Sequence, residues 1–84
     1  YMAPEQAGQD RGAICAATDV YSLGAILYQM LTGHPPFQAA TPFDTVMMLL
    51  EQEPVPPRIL NRTADVDLEM ICLRCLQKHP DLRY

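Results

Sequence analysis

Apolar positions along the chain fall into three helical stripes joined by proline-rich connections. From Thr18 the run "TDVYSLGAILYQMLTG" opens on two capping residues, Thr18 and Asp19, and closes on Gly33, the usual C′ residue. Val20, Leu23, Ile26, Leu27, Met30 and Leu31 share one stripe, and Tyr21, Ala25 and Tyr28 cover much of the remaining circumference. Only Ser22 and Gln29 are strongly polar inside it. A helix apolar nearly all round is a buried one. This helix is therefore expected to want neighbours on every side, and to expose an apolar side where the chain supplies none.

A second helix is predicted from Thr41-Pro42-Phe43-Asp44, with Thr41 as N-cap, Pro42 in the first turn and Asp44 at the positive end of the helix dipole. Its inward stripe reads Phe43, Val46, Met47 and Leu50, which leaves Met48 and Leu49 outside for a partner. A third helix is predicted from about Asp65 to Lys78, acids first and Arg74 and Lys78 last, with Leu68, Ile71, Cys72, Cys75 and Leu76 inward. "HPPF" and "EPVPPRILN" read as extended connections, because each proline fixes φ and restricts the residue before it. Residues 1–17 read as loop with one helical turn, and Gly8 to Gly12 as a solvated turn. No strand and no internal repeat emerges, so the fold class is all-α.

Composition narrows the choice. Eighty-four residues, 49% of them apolar, make at most one globular domain. A chain of this size buries only about 60–65% of its unfolded surface. A formal net charge of -4, with no run of Lys or Arg, argues against a nucleic-acid surface. Three cysteines (Cys15, Cys72 and Cys75), without a signal peptide, read as reduced thiols in a cytoplasmic setting. The charge-free run that begins at Val20 is interrupted by Gly33-His34-Pro35-Pro36, so its apolar part falls short of the ~20 residues that span a bilayer.

Four segments carry a resemblance: Ala3-Pro4-Glu5, the "DVYSLG" of Asp19 to Gly24, the "TGHPPF" of Thr32 to Phe37, and the closing "HPDLRY" of His79 to Tyr84. In this order and spacing the chain resembles the C-terminal lobe of eukaryotic-type Ser/Thr protein kinases, and "DVDLEMICLRCLQKHPDLRY" is similar to the bacterial members in particular. The resemblance spans residues 1–84 and implies a partial kinase domain, from the end of the activation segment to the end of the lobe. None of the family's earlier motifs occurs here: the glycine-rich phosphate loop, the strand lysine, the catalytic-loop aspartate and asparagine, and the metal-binding aspartate. The implied parent moves the γ-phosphoryl of ATP, with Mg2+, to a protein Ser or Thr. The segment itself is expected to bind no cofactor or metal and to be inactive alone. Its partners would be the protein substrate and, in cis, the missing N-lobe and catalytic loop; any membrane anchor of the parent would lie outside it.

Residue by residue, the resemblance implies a pair between Glu5 and Arg83, stapling the substrate loop to the end of the lobe. It implies that Asp19 accepts backbone N–H bonds from the catalytic loop, where the plainer reading is an acid in a first helical turn. Ile26 and Met30 would support the hydrophobic stack on the adenine side. Tyr1, Met2, Ala3 and Pro4 would rim the substrate loop. Gln29 stands where many relatives carry an acid, so a preference for basic substrates is in doubt. Two alternatives stay open. One is a non-catalytic helical module, or a pseudokinase remnant, that presents Phe43, Met47, Met48 and Leu49 to a partner. The other is a metal site in the C-x-x-C-x-x-x-H spacing of Cys72, Cys75 and His79, with Cys15 as a fourth ligand. Against it, the cysteines coincide with the apolar stripe, where a free thiol acts as a small hydrophobe.

Overall fold

The computed structural model describes residues 3–7 and 16–84. Among these, five α-helical segments follow one another: α1 (Pro4–Ala7), α2 (Ala16–Thr32), α3 (Pro42–Glu51), α4 (Pro57–Leu60) and α5 (Val66–Cys75). A 3-10 turn, Pro80–Leu82, closes the chain. No strand occurs among the described residues. The predicted turn at Gly8 to Gly12 lies outside them.

The long helix α2 is the axis of the fold, and α5 is its principal neighbour. α2 begins two residues before the predicted cap, so Thr18 lies inside the helix. Thr18 is buried inside the helix and donates to Glu5. At the other end Gly33 takes φ +79, and its N–H donates to the Gln29 carbonyl at 2.8 Å. That left-handed conformation suits glycine.

The sequence left open which side of α2 faces inward. The core holds Tyr21, Ala25 and Tyr28, with Ala3, Leu49, Cys72 and Leu76 packed around them. The aliphatic stripe points away: Leu23 is 64% exposed, Ile26 44% and Met30 78%, while Leu27 and Leu31 touch the core from its edge. The cause is size. Gly24 carries no side chain, so α5 approaches until a Cβ built at Gly24 would stand 2.5 Å from the Cys75 Cβ. The Cys72 thiol lies 3.4 Å from the Gly24 carbonyl and donates to it. Tyr28 is then buried to its hydroxyl, which donates to the Val55 carbonyl at 2.6 Å.

The other helices depart from expectation in similar ways. In α3 the cap is as predicted, with Thr41 Oγ1 accepting from the Asp44 N–H. Its inward residue, however, is Leu49, while Phe43, Met47 and Leu50 are exposed. α5 starts close to its predicted position, with Asp65 as an N-cap that accepts from the Asp67 and Leu68 N–H groups, but it stops at Cys75. Leu68 and Ile71 are 41% exposed, so its buried edge is narrower than the stripe, comprising Cys72 and Cys75 with Leu76 just beyond. The connection predicted to be extended contains α4, with Pro57 in the first turn, where its missing N–H costs nothing. Glu69 on α5 accepts from the Arg58 N–H at 2.7 Å and satisfies one of the free donors of this short helix.

Gly24→Ala tests the close crossing. Alanine has the better helix propensity by about 1 kcal/mol, yet its methyl meets Cys75 with no room to move. We expect a net loss of about 1–3 kcal/mol, read as a lowered denaturation midpoint in the intact protein; a neutral or stabilising effect would show that the helices are not in close contact.

Candidate functional site

The two ends of the described chain meet at a buried ion pair. Glu5 is presented by α1, and Arg83 follows the closing 3-10 turn. Arg83 Nη1 donates to Glu5 Oε2 at 2.8 Å, and Nη2 donates to Oε1 at 2.9 Å, a parallel two-point grip. Both residues are buried. Thr18 Oγ1 donates to the same Oε2 at 2.7 Å. The remaining guanidinium hydrogens are also used: Nε donates to the Gln77 carbonyl, Nη1 to Ala17 and Nη2 to Lys78, at 2.8, 2.9 and 3.2 Å. Arginine has five N–H donors, and all five have acceptors here. The guanidinium also lies 4.9 Å from the centre of the Tyr21 ring.

The electrostatics follow from this geometry. The Arg83 hydrogen bonds hold the Glu5 carboxyl down at about 2, against the opposing effect of burial, with help from the Thr18 hydroxyl. Its ionised form is therefore favoured throughout the physiological range.

A second tie involves Lys78. The sequence placed it at the end of α5, but the chain has left that helix by then. Its Nζ instead donates to the Leu49 carbonyl in the last turn of α3 at 2.6 Å, and stands 4.4 Å from the centre of the Phe37 ring. Burial lowers the pKa of this amine. A cation at the C-terminal end of α3 meets the negative pole of that helix.

The other sequence candidates are dispersed. Ala3 and Pro4 are buried beside Glu5, and Tyr1 and Met2 lie outside the described residues. Asp19 is exposed in the first turn of α2, and Gln29 is exposed further along the same helix. Ile26 and Met30 sit on the open face of α2. On α3, Phe43 is 73% and Met47 37% exposed, Met48 is half-buried, and Leu49 is in the core. Leu49 thus anchors α3 and is closed to a partner, which corrects its place in the docking set.

Cys72 and Cys75 are buried, and burial pushes the Cys72 thiol up to about 12 and raises that of Cys75. Neutral thiols are poor ligands. His79, no longer on the same helix, caps the 3-10 turn, its Nδ1 accepting from the Asp81 N–H at 3.3 Å. Cys15 lies outside the described residues. Among those described, no group of three or more His, Cys, Asp or Glu residues could hold a metal ion.

Sequence reasoning missed Thr18 and Lys78 as members of these ties. Thr18 has the chemistry of a cap, and the signal that it faces inward is its place one turn before the buried Tyr21–Ala25 edge. Lys78 has no local signal, because its partner is 29 residues away.

Comparison with known proteins agrees with this architecture. The protein kinase domain family matches residues 1–84. The serine/threonine-protein kinase PknB of Mycobacterium leprae is 40% identical over 84 residues, covering 100% of this chain and 13% of its own length. PknB of Mycolicibacterium smegmatis is 43% identical over 86 residues with the same shares, and a probable serine/threonine-protein kinase of Clostridium acetobutylicum is 40% identical over 84 residues, 12% of its length. The chain belongs to the protein kinase domain family and corresponds to part of a bacterial-type Ser/Thr kinase. It spans about one eighth of the length of these curated relatives.

Two variants probe the ion pair. Arg83→Ala leaves a buried carboxylate without its partner and should cost about 3–5 kcal/mol, whereas Arg83→Lys keeps the charge, loses the fork, and should still cost about 1–3 kcal/mol. Denaturant unfolding of the intact protein measures both; equal stability of the lysine variant and the parent would refute the five-donor account. Because the Glu5 pKa falls on folding from 4.5 to about 2, its stabilising contribution is complete above pH 4.5 and is lost as pH drops towards 2. Unfolding titrated over that window should show the loss, and Glu5→Gln should flatten it.

Proposed function

We propose that the chain is the C-terminal-lobe portion of an active Ser/Thr protein kinase, which transfers the γ-phosphoryl of ATP to protein hydroxyls. In this reading ATP and Mg2+ are held by parts of the kinase outside these 84 residues. The chain contributes the rim of the substrate loop around Ala3 and Pro4, the scaffold helix α2, and a docking surface on α3. The observation that carries the reading is the Glu5–Arg83 junction, which fixes α1 against both α2 and the chain's end in a segment that matches the kinase domain throughout. Positioning is most of what a phosphoryl-transfer enzyme needs from its protein, so a rigid loop anchor has direct catalytic value. The open aliphatic face of α2, with Leu23, Ile26 and Met30, fits a helix that supports further parts of the lobe. No helix among the described residues is long and apolar enough to cross a membrane.

The exposure of Phe43 and Met47 favours one alternative, a non-catalytic module that docks a partner through α3. The readings separate in one assay. The intact protein, given ATP labelled on the γ-phosphorus and a mixed protein substrate, should place label on Ser and Thr. No transfer would favour the module or a pseudokinase, and label on Tyr alone would overturn the Ser/Thr reading.

Gln29 supplies a specificity test. It is exposed and uncharged, so a substrate cation near it gains no ion pair. Gln29→Glu should raise kcat/KM about two- to fivefold for a peptide with arginine ahead of its phosphoacceptor, the range of an exposed pair, and leave a neutral peptide unchanged. An equal change for both peptides would place Gln29 away from the substrate path.

A further inference from the structure

The outer side of α3 carries two kinds of residue in separate rows. At about 100° per residue, Phe43, Met47 and Leu50 fall within about 60° of one another around the helix, and all three are exposed. Leu49, turned about 120° away from the middle of that row, is in the core. Asp44 and Glu51 form a second row along one edge of the apolar one, a heptad apart and both exposed. The helix itself carries no Lys or Arg.

Neither acid is matched within the chain. Among the described residues the ion pairs are Arg83–Glu5 and His79–Asp81, so Asp44 and Glu51 have none. Glu51 also ends the helix, at the negative pole of its dipole, where an acid is unfavourable. Lys78 reaches that end of α3, but its ammonium is taken up by the Leu49 carbonyl and the Phe37 ring. The face is therefore apolar along its middle and carries uncompensated negative charge along one edge.

That charge selects the occupant. An anionic lipid surface or a nucleic acid would bring its own negative charges against Asp44 and Glu51. A second copy docked through the same face would set acid against acid. A helix with apolar residues on one side and lysine or arginine beside them matches both rows. We propose that the outer face of α3 docks a basic amphipathic helix of a partner protein, with Phe43 as the anchor, Met47 and Leu50 extending the contact, and Asp44 and Glu51 fixing its orientation. The proposal rests on α3 being a docking surface, which the kinase and module readings share; within the kinase reading, the helix belongs to the protein substrate.

The probe is a fluorescent helical peptide of about 14 residues, roughly four turns, with leucine at i, i+4 and i+7, lysine along one flank, and alanine and glutamine elsewhere. One counterpart carries glutamate for lysine, and another has the same residues in an order without an apolar face. Anisotropy titrations use the intact protein without nucleotide, so they do not depend on phosphoryl transfer. The lysine peptide should bind saturably, at least about tenfold more tightly than either counterpart, and weaken as salt rises. Phe43→Ser should cost about tenfold, the loss expected of an aromatic anchor. Glu51→Lys should cost about fivefold, and it places a cation at the C-terminal pole, so the helix is not endangered. Asp67→Lys, the same change of charge on α5, should leave binding unchanged. Thermal denaturation checks the fold of each variant. No saturable binding, equal affinity for the counterparts, undiminished binding in Phe43→Ser, or equal losses in Glu51→Lys and Asp67→Lys would each overturn the proposal. So would self-association of the protein that Phe43→Ser abolishes, which would make a second copy the occupant. Transfer of labelled phosphate that persists while the peptide fails to bind would strike this proposal alone and leave the kinase reading standing.

Discussion

The structure depends first on the Arg83 guanidinium. Burying a cation is expensive, and the cost is offset only when every donor finds an acceptor. Here the acceptors come from three places: the Glu5 carboxylate on α1, the Ala17 carbonyl at the start of α2, and the Gln77 and Lys78 carbonyls just after α5. A single planar group thereby fixes segments that are 78 residues apart in sequence. A lysine could not do this, since one ammonium cannot serve two oxygens of a carboxylate and three carbonyls at fixed angles. The Thr18 hydroxyl completes the junction from within α2, so it serves the ion pair rather than the cap that its sequence position suggested.

The second constraint is the unevenness of α2. One of its faces is built from Gly24, Ala25 and two tyrosines, the other from leucine, isoleucine and methionine. Hydrophobicity alone ranks the aliphatic face as the buried one. Geometry ranks the other, because helices approach most closely where side chains are smallest. Tyrosine also has a long reach and a polar tip that can end at a carbonyl, as Tyr28 does. The existence and approximate extent of α2, α3 and α5 were legible from periodicity and caps, since those signals are local. The inward faces were not, because an all-round apolar helix has no phase to read. α4 was hidden by its prolines, which break a helix in its interior but suit its first turn.

The site divides along the same line. No local chemistry links Glu5 to Arg83. The pairing came from the order and spacing of four motifs, and the geometry then shows how the pair is satisfied. Asp19, Gln29, Ile26 and Met30 could be placed on α2 from sequence, yet their partners cannot be read from these residues. Thr18 was misplaced because threonine before an apolar run looks like a cap whether or not it serves as one. The C-x-x-C-x-x-x-H spacing is metal-like only if a single helix runs through it. α5 ends at Cys75, so the register that would align His79 with the cysteines does not exist.

α3 shows how a surface can be displayed without loosening the core beneath it. Leu49 sinks into the core, and its carbonyl receives the Lys78 ammonium, which is itself held over Phe37. At the opposite end, Thr41 caps the first turn and accepts from Asp44. With both ends and one edge fixed, Phe43 and Met47 can project into solvent without costing order elsewhere. A large exposed aromatic on a helix that was free to turn would be driven inward by its own hydrophobic surface. On α3 that rotation would pull Leu49 out of the core and Lys78 off its carbonyl. The exposure of Phe43 is therefore maintained by the burial of Leu49, and the four apolar residues first grouped as one docking set divide into an anchor and the surface it holds out.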